Sequence, residues 1–248
     1  METRLVLLPG LDGTGELFRP LLEVIPPGFS ARVVSYPTTG HQTYEALLAY
    51  LEGQLQTERD VVLLAESFSG SLAVRYAAAH ADRVRAAVLC ASFVRPPLPR
   101  WLRHLVLPAC FRWPPPAWAV RRYMVGPAAS EALVAAVTAS IRSVPPRVLA
   151  ERLKAVLQVD CADDLRRCRA PLLYLVAGLD ALVRTSSAEA IRAARPDVTV
   201  RTVDGPHLLL QAAPETTWRE IEQFLRDNGT GAEPERQRGR HGTGGKRW

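Results

Sequence analysis

Apolar residues recur along this chain in two rhythms, short runs of strand type and longer stretches spaced as on a helix. Arg4–Leu8, Ala31–Tyr36, Asp60–Ala65, Val84–Ala91, Leu172–Ala177 and Val198–Val203 are compact apolar runs, several of them bounded by turn residues, and each is expected to form a strand. Between them Leu47, Leu48, Leu51 and Leu55 fall on one helical face. Leu72, Val74, Tyr76 and Ala77 repeat the spacing more loosely, and Ile221, Phe224 and Leu225 repeat it near the end. Strand alternating with helix predicts an α/β fold, a mainly parallel sheet of about six strands with helices on both faces. In such a sheet reactive groups belong in loops at the carboxyl ends of the strands.

Residues 95–170 interrupt the alternation. The stretch is rich in Pro, Arg and Trp, with Arg95-Pro-Pro-Leu-Pro-Arg-Trp101 and Arg112-Trp-Pro-Pro-Pro116, and helical patterns follow at 129–143 and 146–158. It is expected to form a helical lid inserted into a core made of 1–94 and 171–228. From Gly229 the chain is rich in Gly, Arg and Glu with almost no apolar residues, so 229–248 is expected to be a disordered basic tail.

Composition narrows the class. The 248 residues are 48% hydrophobic and 23% charged, which suits one α/β domain with an insertion. No apolar run approaches the roughly 20 residues that span a bilayer. The start, Met1-Glu-Thr-Arg-Leu5, lacks the basic end and long apolar stretch of a secretory leader, so a cytoplasmic location is expected. Cys90, Cys110, Cys161 and Cys168 form no CxxC pair and read as small semi-buried thiols, with Cys161 and Cys168 spaced to share a helix face. The net charge of +6 is uneven. The two core segments are mildly acidic, whereas 95–170 carries 13 Lys and Arg against 5 Asp and Glu.

Three loops carry candidate chemistry. The strand ending at Ala65 runs into Glu66-Ser67-Phe68-Ser69-Gly70 and then a helix, the strand–turn–helix setting of a nucleophile elbow, although a lone serine here would also suit a helix N-cap. The strand ending at Ala177 delivers Asp180, and the strand ending at Val203 delivers His207. A serine hydroxyl needs a base to accept its proton, and a carboxylate to hold that base in the right tautomer. Ser67, Asp180 and His207 supply the set without a metal or organic cofactor. His41, His80, His104 and His241 are poorly placed for the base. Asp204 reads as a turn former, and Asp160, Asp163 and Asp164 are a distant second choice for the acid. The first strand empties into Pro9-Gly-Leu-Asp-Gly-Thr-Gly15, which has neither a P-loop ending nor dinucleotide spacing. The Leu11 and Phe68 N–H groups are expected to form an oxyanion hole. Asp12 is a candidate substrate contact, with a turn-forming role the stronger expectation.

These residues, carried by LPGLDGTG, LLAESFSG, LYLVAGLDALV and the GPH before the last helix, resemble the α/β-hydrolase fold family over about residues 4–227. The closest flavour resembles small bacterial carboxylesterases of the pimeloyl-acyl-carrier-protein methyl ester esterase type. The resemblance implies a serine esterase, with acyl transfer as an alternative outcome of the same machinery and a non-catalytic binding protein as the alternative of another class. Two departures stand out. The elbow reads Ala-x-Ser-x-Ser-Gly instead of Gly-x-Ser-x-Gly, and Pro9-Gly10 replaces the His-Gly common at the oxyanion loop. In the lid, Trp101, Trp113 and Trp118 are candidate substrate contacts. The neighbouring arginines read first as the solvated basic face of a packed lid; the sharper alternative is an acidic acyl carrier, a coenzyme A thioester or an anionic lipid surface as partner, and nothing resembles a nucleic-acid recognition module.

Overall fold

The computed structural model describes residues 2–231. The core elements follow in chain order: β1 (Thr3–Leu8), α1 (Arg19–Val24), β2 (Phe29–Val33), α2 (Tyr44–Gln54), β3 (Val61–Glu66), α3 (Gly70–Ala79) and β4 (Val84–Cys90). The lid contributes α4 (Ala117–Val120), α5 (Glu131–Ser143) and α6 (Pro146–Val156). The chain then returns through α7 (Ala162–Arg167), β5 (Leu172–Ala177), α8 (Ser186–Ala194), β6 (Thr199–Val203), α9 (Leu209–Ala212) and α10 (Pro214–Asp227).

All five strand pairings are parallel, in the order β2-β1-β3-β4-β5-β6. Successive side chains of a strand point to opposite faces, and the central strands are apolar at both. Leu63, Ala65, Ala87 and Leu89 join α2, α3, α7 and α8 in one core. Val62, Leu64, Ala86 and Val88 join α1 and α10 in the other. That double burial is why these strands read as continuous apolar runs.

Three boundaries differ from expectation. β2 runs Phe29–Val33, so the expected Val34–Tyr36 lies outside it; there Val34 N–H donates to Leu7 O and Tyr36 N–H to Gly13 O, tying the segment to the loop after β1. The last part of the expected lid belongs to the core, because Leu165 of α7 packs with Cys161 and Cys168 in the sheet-facing cluster. Those two cysteines flank α7 and do not share its face. Cys110 is exposed, while the other three cysteines are buried. Residues 229–231, expected as part of the tail, are placed against the core. Thr230 is buried, with its carbonyl accepting from Thr3 Oγ1 at 3.2 Å, and 232–248 lies outside the described residues. Among the described residues no single helix is long and apolar enough to cross a membrane.

The lid closes over the carboxyl ends of the strands through its own small cores. Val120, Val125, Val134 and Val137 pack with Leu17 and Leu208 of the core domain. Met124 O accepts from Leu208 N–H at 2.9 Å, so the residue after His207 is bonded directly to the lid.

Candidate active site

Ser67 follows β3 at φ 49°, in the left-handed region that residues with a Cβ seldom occupy. Holding a serine there costs on the order of 1–3 kcal/mol, which the surroundings must offset. Ser92 Oγ donates to Ser67 O at 2.6 Å, and Tyr44 OH donates to Phe68 O at 3.0 Å. The irregular Ser69 is part of the same bracing. Its hydroxyl donates to Pro9 O, so the Tyr36 hydroxyl, 2.6 Å away, must donate to Ser69 Oγ. The residue that replaces the usual glycine therefore ties the elbow to the loop after β1. Gly70 is the glycine the turn cannot lose, because a Cβ there would collide with Ser92 Oγ.

His207 Nε2 lies 2.9 Å from Ser67 Oγ, and His207 Nδ1 lies 2.8 Å from Asp180 Oδ2. Asp180 Oδ1 accepts from the N–H groups of Leu182 (2.7 Å) and Val183 (2.9 Å). The His207 and Asp180 side chains are almost wholly shielded, at 5% and 4% exposure. An ionised carboxylate can only accept, so Nδ1 carries the ring hydrogen and Nε2 is left to accept from the serine hydroxyl. The competing acids are elsewhere: Asp160 faces Arg95 and Arg100, while Asp163 and Asp164 pair with Arg166 and Arg167. His80 pairs with Glu52.

Leu11 and Phe68 both line the cavity beside Ser67. Phe68 stands in the turn ahead of α3, where the first N–H groups have no intrahelical acceptor. Leu11 N–H forms none of the turn and loop hydrogen bonds among the described residues. Asp12 also borders the cavity, but its Oδ1 is taken up by Thr14 N–H (2.9 Å), the Thr14 hydroxyl (2.5 Å) and Ser140 Oγ of α5 (2.9 Å). It braces the turn and the lid.

The cavity measures about 500 Å³ and runs from Ser67 and His207 beneath the lid, walled by Val137, Ile141, Leu149, Leu153 and Val156. Trp113 lines it. Trp101 and Trp118, the other two candidate contacts, do not, and are 61% and 66% exposed. Their aromatic character in a basic stretch signalled a contact, but their short helical turns point them outward.

Two residues were missed by sequence reasoning. Arg152 of α6 is fully buried, with no carboxylate within 4 Å among the described residues. Its guanidinium donates to Leu11 O (3.0 Å), Asp12 O (2.6 Å), Pro37 O (3.0 Å) and Gln42 Oε1 (2.9 Å), and burial lowers its pKa. Gly13, at φ 70°, makes room for it, since a Cβ there would run into Arg152 Nη1. Nothing local in α6 distinguishes this arginine from a solvated one. Glu66, beside the nucleophile, is 2% exposed; its Oε2 accepts from Gln211 Nε2 at 3.3 Å and its Oε1 has no partner. Burial, with Asp12 nearby, pushes its carboxyl up to about 8. A charged residue closing the buried run Val-Val-Leu-Leu-Ala was the available signal.

The alpha/beta hydrolase family matches residues 5–220. Many solved structures share the fold at low identity. A hydrolase from Oleispira antarctica is 15% identical with TM-score 0.78, covering 92% of each chain. An enol-lactonase from Burkholderia xenovorans is 17% identical with TM-score 0.72, covering 91% of this chain and 92% of its own. A thermophilic esterase from Thermogutta terrifontis is 23% identical with TM-score 0.69, covering 92% and 91%. No curated protein matches the chain in sequence.

Proposed function

The chain belongs to the alpha/beta hydrolase family, and we propose that it is a serine hydrolase that cleaves carboxylic esters through an acyl-enzyme on Ser67. The observation that carries this reading is the continuous relay Asp180–His207–Ser67, with both links at hydrogen-bond distance and the serine held at positive φ at the cavity wall.

In the proposed reaction His207 Nε2 takes the Ser67 proton as Oγ attacks the ester carbonyl carbon, and Asp180 stabilises the imidazolium. The N–H groups of Leu11 and Phe68 receive the negative charge that develops on the carbonyl oxygen; one such donor typically contributes roughly 3 kcal/mol to transition-state stabilisation. His207 then protonates the departing alkoxide. Water, deprotonated by the same imidazole, attacks the acyl-enzyme and releases the acid. Transfer of the acyl group to another alcohol would use the same triad, the alcohol taking the place of water. The apolar wall supplied by α5 and α6 suits an acyl chain of moderate length. A binding-only role is disfavoured, since nothing but turnover calls for a strained serine aligned on a buried imidazole.

A p-nitrophenyl ester chain-length series on the wild type and on Ser67→Ala tests the reading, with stoichiometric labelling of Ser67 by an organophosphonate as an independent check. Activity kept by Ser67→Ala would remove the mechanism.

A further inference from the structure

We infer that the lid is a docking surface for an anionic phospholipid bilayer, on which the enzyme sits with its cavity mouth facing the lipid. The proposal goes beyond ester cleavage and stands on the surface alone.

Between Arg95 and Ser130 there is no Asp or Glu, and of the six arginines there Arg103, Arg112 and Arg122 have no acidic partner among the described residues, while Arg95 and Arg100 face Asp160 and Arg121 pairs with Glu131. Seven of the ten large hydrophobic side chains exposed among the described residues fall in this same stretch, between Leu98 and Tyr123. Exposed apolar residues scattered singly need no explanation, but a concentration of this kind does. The segment's local structure explains the outward side chains. Leu102, Val106 and Phe111 anchor it by packing onto Ala150 and Leu157 of the lid helices. The intervening positions are turned away from the protein: Trp101 is 61% exposed, Leu105 61% and Leu107 55%. Two of the exposed rings carry a guanidinium against them, Arg112 over Trp113 and Arg122 over Tyr123. An aromatic body with a cation beside it suits the boundary between acyl chains and phosphate headgroups.

Charge selects the anionic surface. Residues 95–161, up to α7, carry 10 Lys and Arg against 3 Asp and Glu, whereas 1–94 and 162–228 are both negative, so the molecule is polarised with its lid toward an anionic plane. An acidic protein partner would need the arginines but not the leucines and tryptophans, which favours lipid. The patch is also continuous with the cavity, since Leu98 and Trp113 belong to both. An apolar substrate would pass from the bilayer to Ser67 without crossing water.

The test is flotation of the full-length protein with vesicles of phosphatidylglycerol, and of phosphatidylcholine as control, at low salt and at about 0.5 M salt, where charge attraction is screened. Binding to phosphatidylglycerol that weakens with salt, with a blue shift of tryptophan emission, is expected. Arg100→Glu with Arg103→Glu should lower partitioning about tenfold or more, as should Leu105→Ser with Leu107→Ser. None of these four residues lines the cavity, so turnover of a short, water-soluble ester should be unchanged. Ser67→Ala should bind vesicles like the wild type, which separates this proposal from the esterase reading. The proposal is overturned by absence of binding to phosphatidylglycerol at low salt, or by binding indifferent to salt and headgroup. It is equally overturned if both double variants bind normally, which would place the contact elsewhere, or if the patch is buried in a dimer that Leu105→Ser and Leu107→Ser dissolve.

Discussion

Arg152 Nη1 donates to the carbonyl oxygen of Leu11 at 3.0 Å, joining a lid helix to the main chain of the loop that lines the cavity beside Ser67. The same nitrogen reaches Asp12 O, so one buried guanidinium fixes two consecutive peptide groups. Fixing Asp12 O also fixes the Gly13 N–H, which donates to Gly10 O at 3.1 Å, and Gly10 O shares its peptide plane with the Leu11 N–H, so the lid helps to orient the loop through that chain of bonds.

Replacing Arg152 by Met keeps bulk but leaves buried carbonyls without donors. The variant should lose about 3 kcal/mol of stability by urea unfolding. Below its unfolding temperature, kcat for a short ester should fall about a hundredfold with KM little changed. A folded Arg152→Met protein with wild-type kcat would show that the loop holds itself.

Asp180→Asn should lower kcat by on the order of 10⁴ without loss of secondary structure. The amide donates where the carboxylate accepted, so the imidazole is forced into the other tautomer. The side-chain carbonyl oxygen that the variant keeps can still accept from the Leu182 and Val183 N–H groups, so circular dichroism should match the wild type.

Glu66 gives a pH dependence with a defined sign. Its folded pKa of about 8 stands above the ordinary value of 4.5, so between those two pH values the folded protein holds a proton that the unfolded chain has released. Stability should therefore fall as pH rises through this window, by at most about 1.4 kcal/mol per unit. Glu66→Gln should abolish that slope, and its Tm should exceed the wild type's by a margin that grows up to about pH 8. Ionised Glu66 would also oppose the charge developing at the oxyanion, so the wild type should lose kcat above about pH 8 and the variant should not. A wild-type Tm that stays level from about pH 5 to about pH 8 would contradict the assignment.

Ile141→Trp fills part of the cavity wall that α5 provides. The preferred acyl chain should shorten, with kcat/KM for an octanoyl ester reduced about tenfold or more while an acetyl ester is hydrolysed as before. An unchanged chain-length profile would mean that the acyl group does not lie beneath the lid.

The sheet was legible because its central strands are buried on both faces, which leaves unbroken apolar runs such as Val61–Ala65. Ser67, Asp180 and His207 were legible because each stands just beyond a strand, and chain order then restricts which can meet. The elbow was harder to read. Ser69 looks like a defect beside the usual glycine, and only the bonds to Pro9 and Tyr36 reveal its use. Arg152 left no local trace, since its partners are main-chain and side-chain carbonyl oxygens 110 to 141 residues away. Trp101 and Trp118 could not be told from Trp113 for a related reason: composition marks the lid as aromatic and basic, but which rings reach the cavity depends on anchors such as Val106.

The hydrogen bond from Thr3 to Thr230 has a practical corollary. Thr3 opens β1, so residues 3 and 230 meet at the amino edge of the sheet, the opposite end from the loops that carry Ser67, Asp180 and His207. Circular permutation should therefore be tolerated. A short Gly/Ser linker across this pair, with new termini cut at Pro127–Ala128 in the lid, should yield a folded protein. Such a permutant would split the lid into two halves, each held to the core by a single covalent connection, while leaving the sheet continuous. Comparing it with the parent would measure how far closure of the cavity depends on chain connection and how far on side-chain packing.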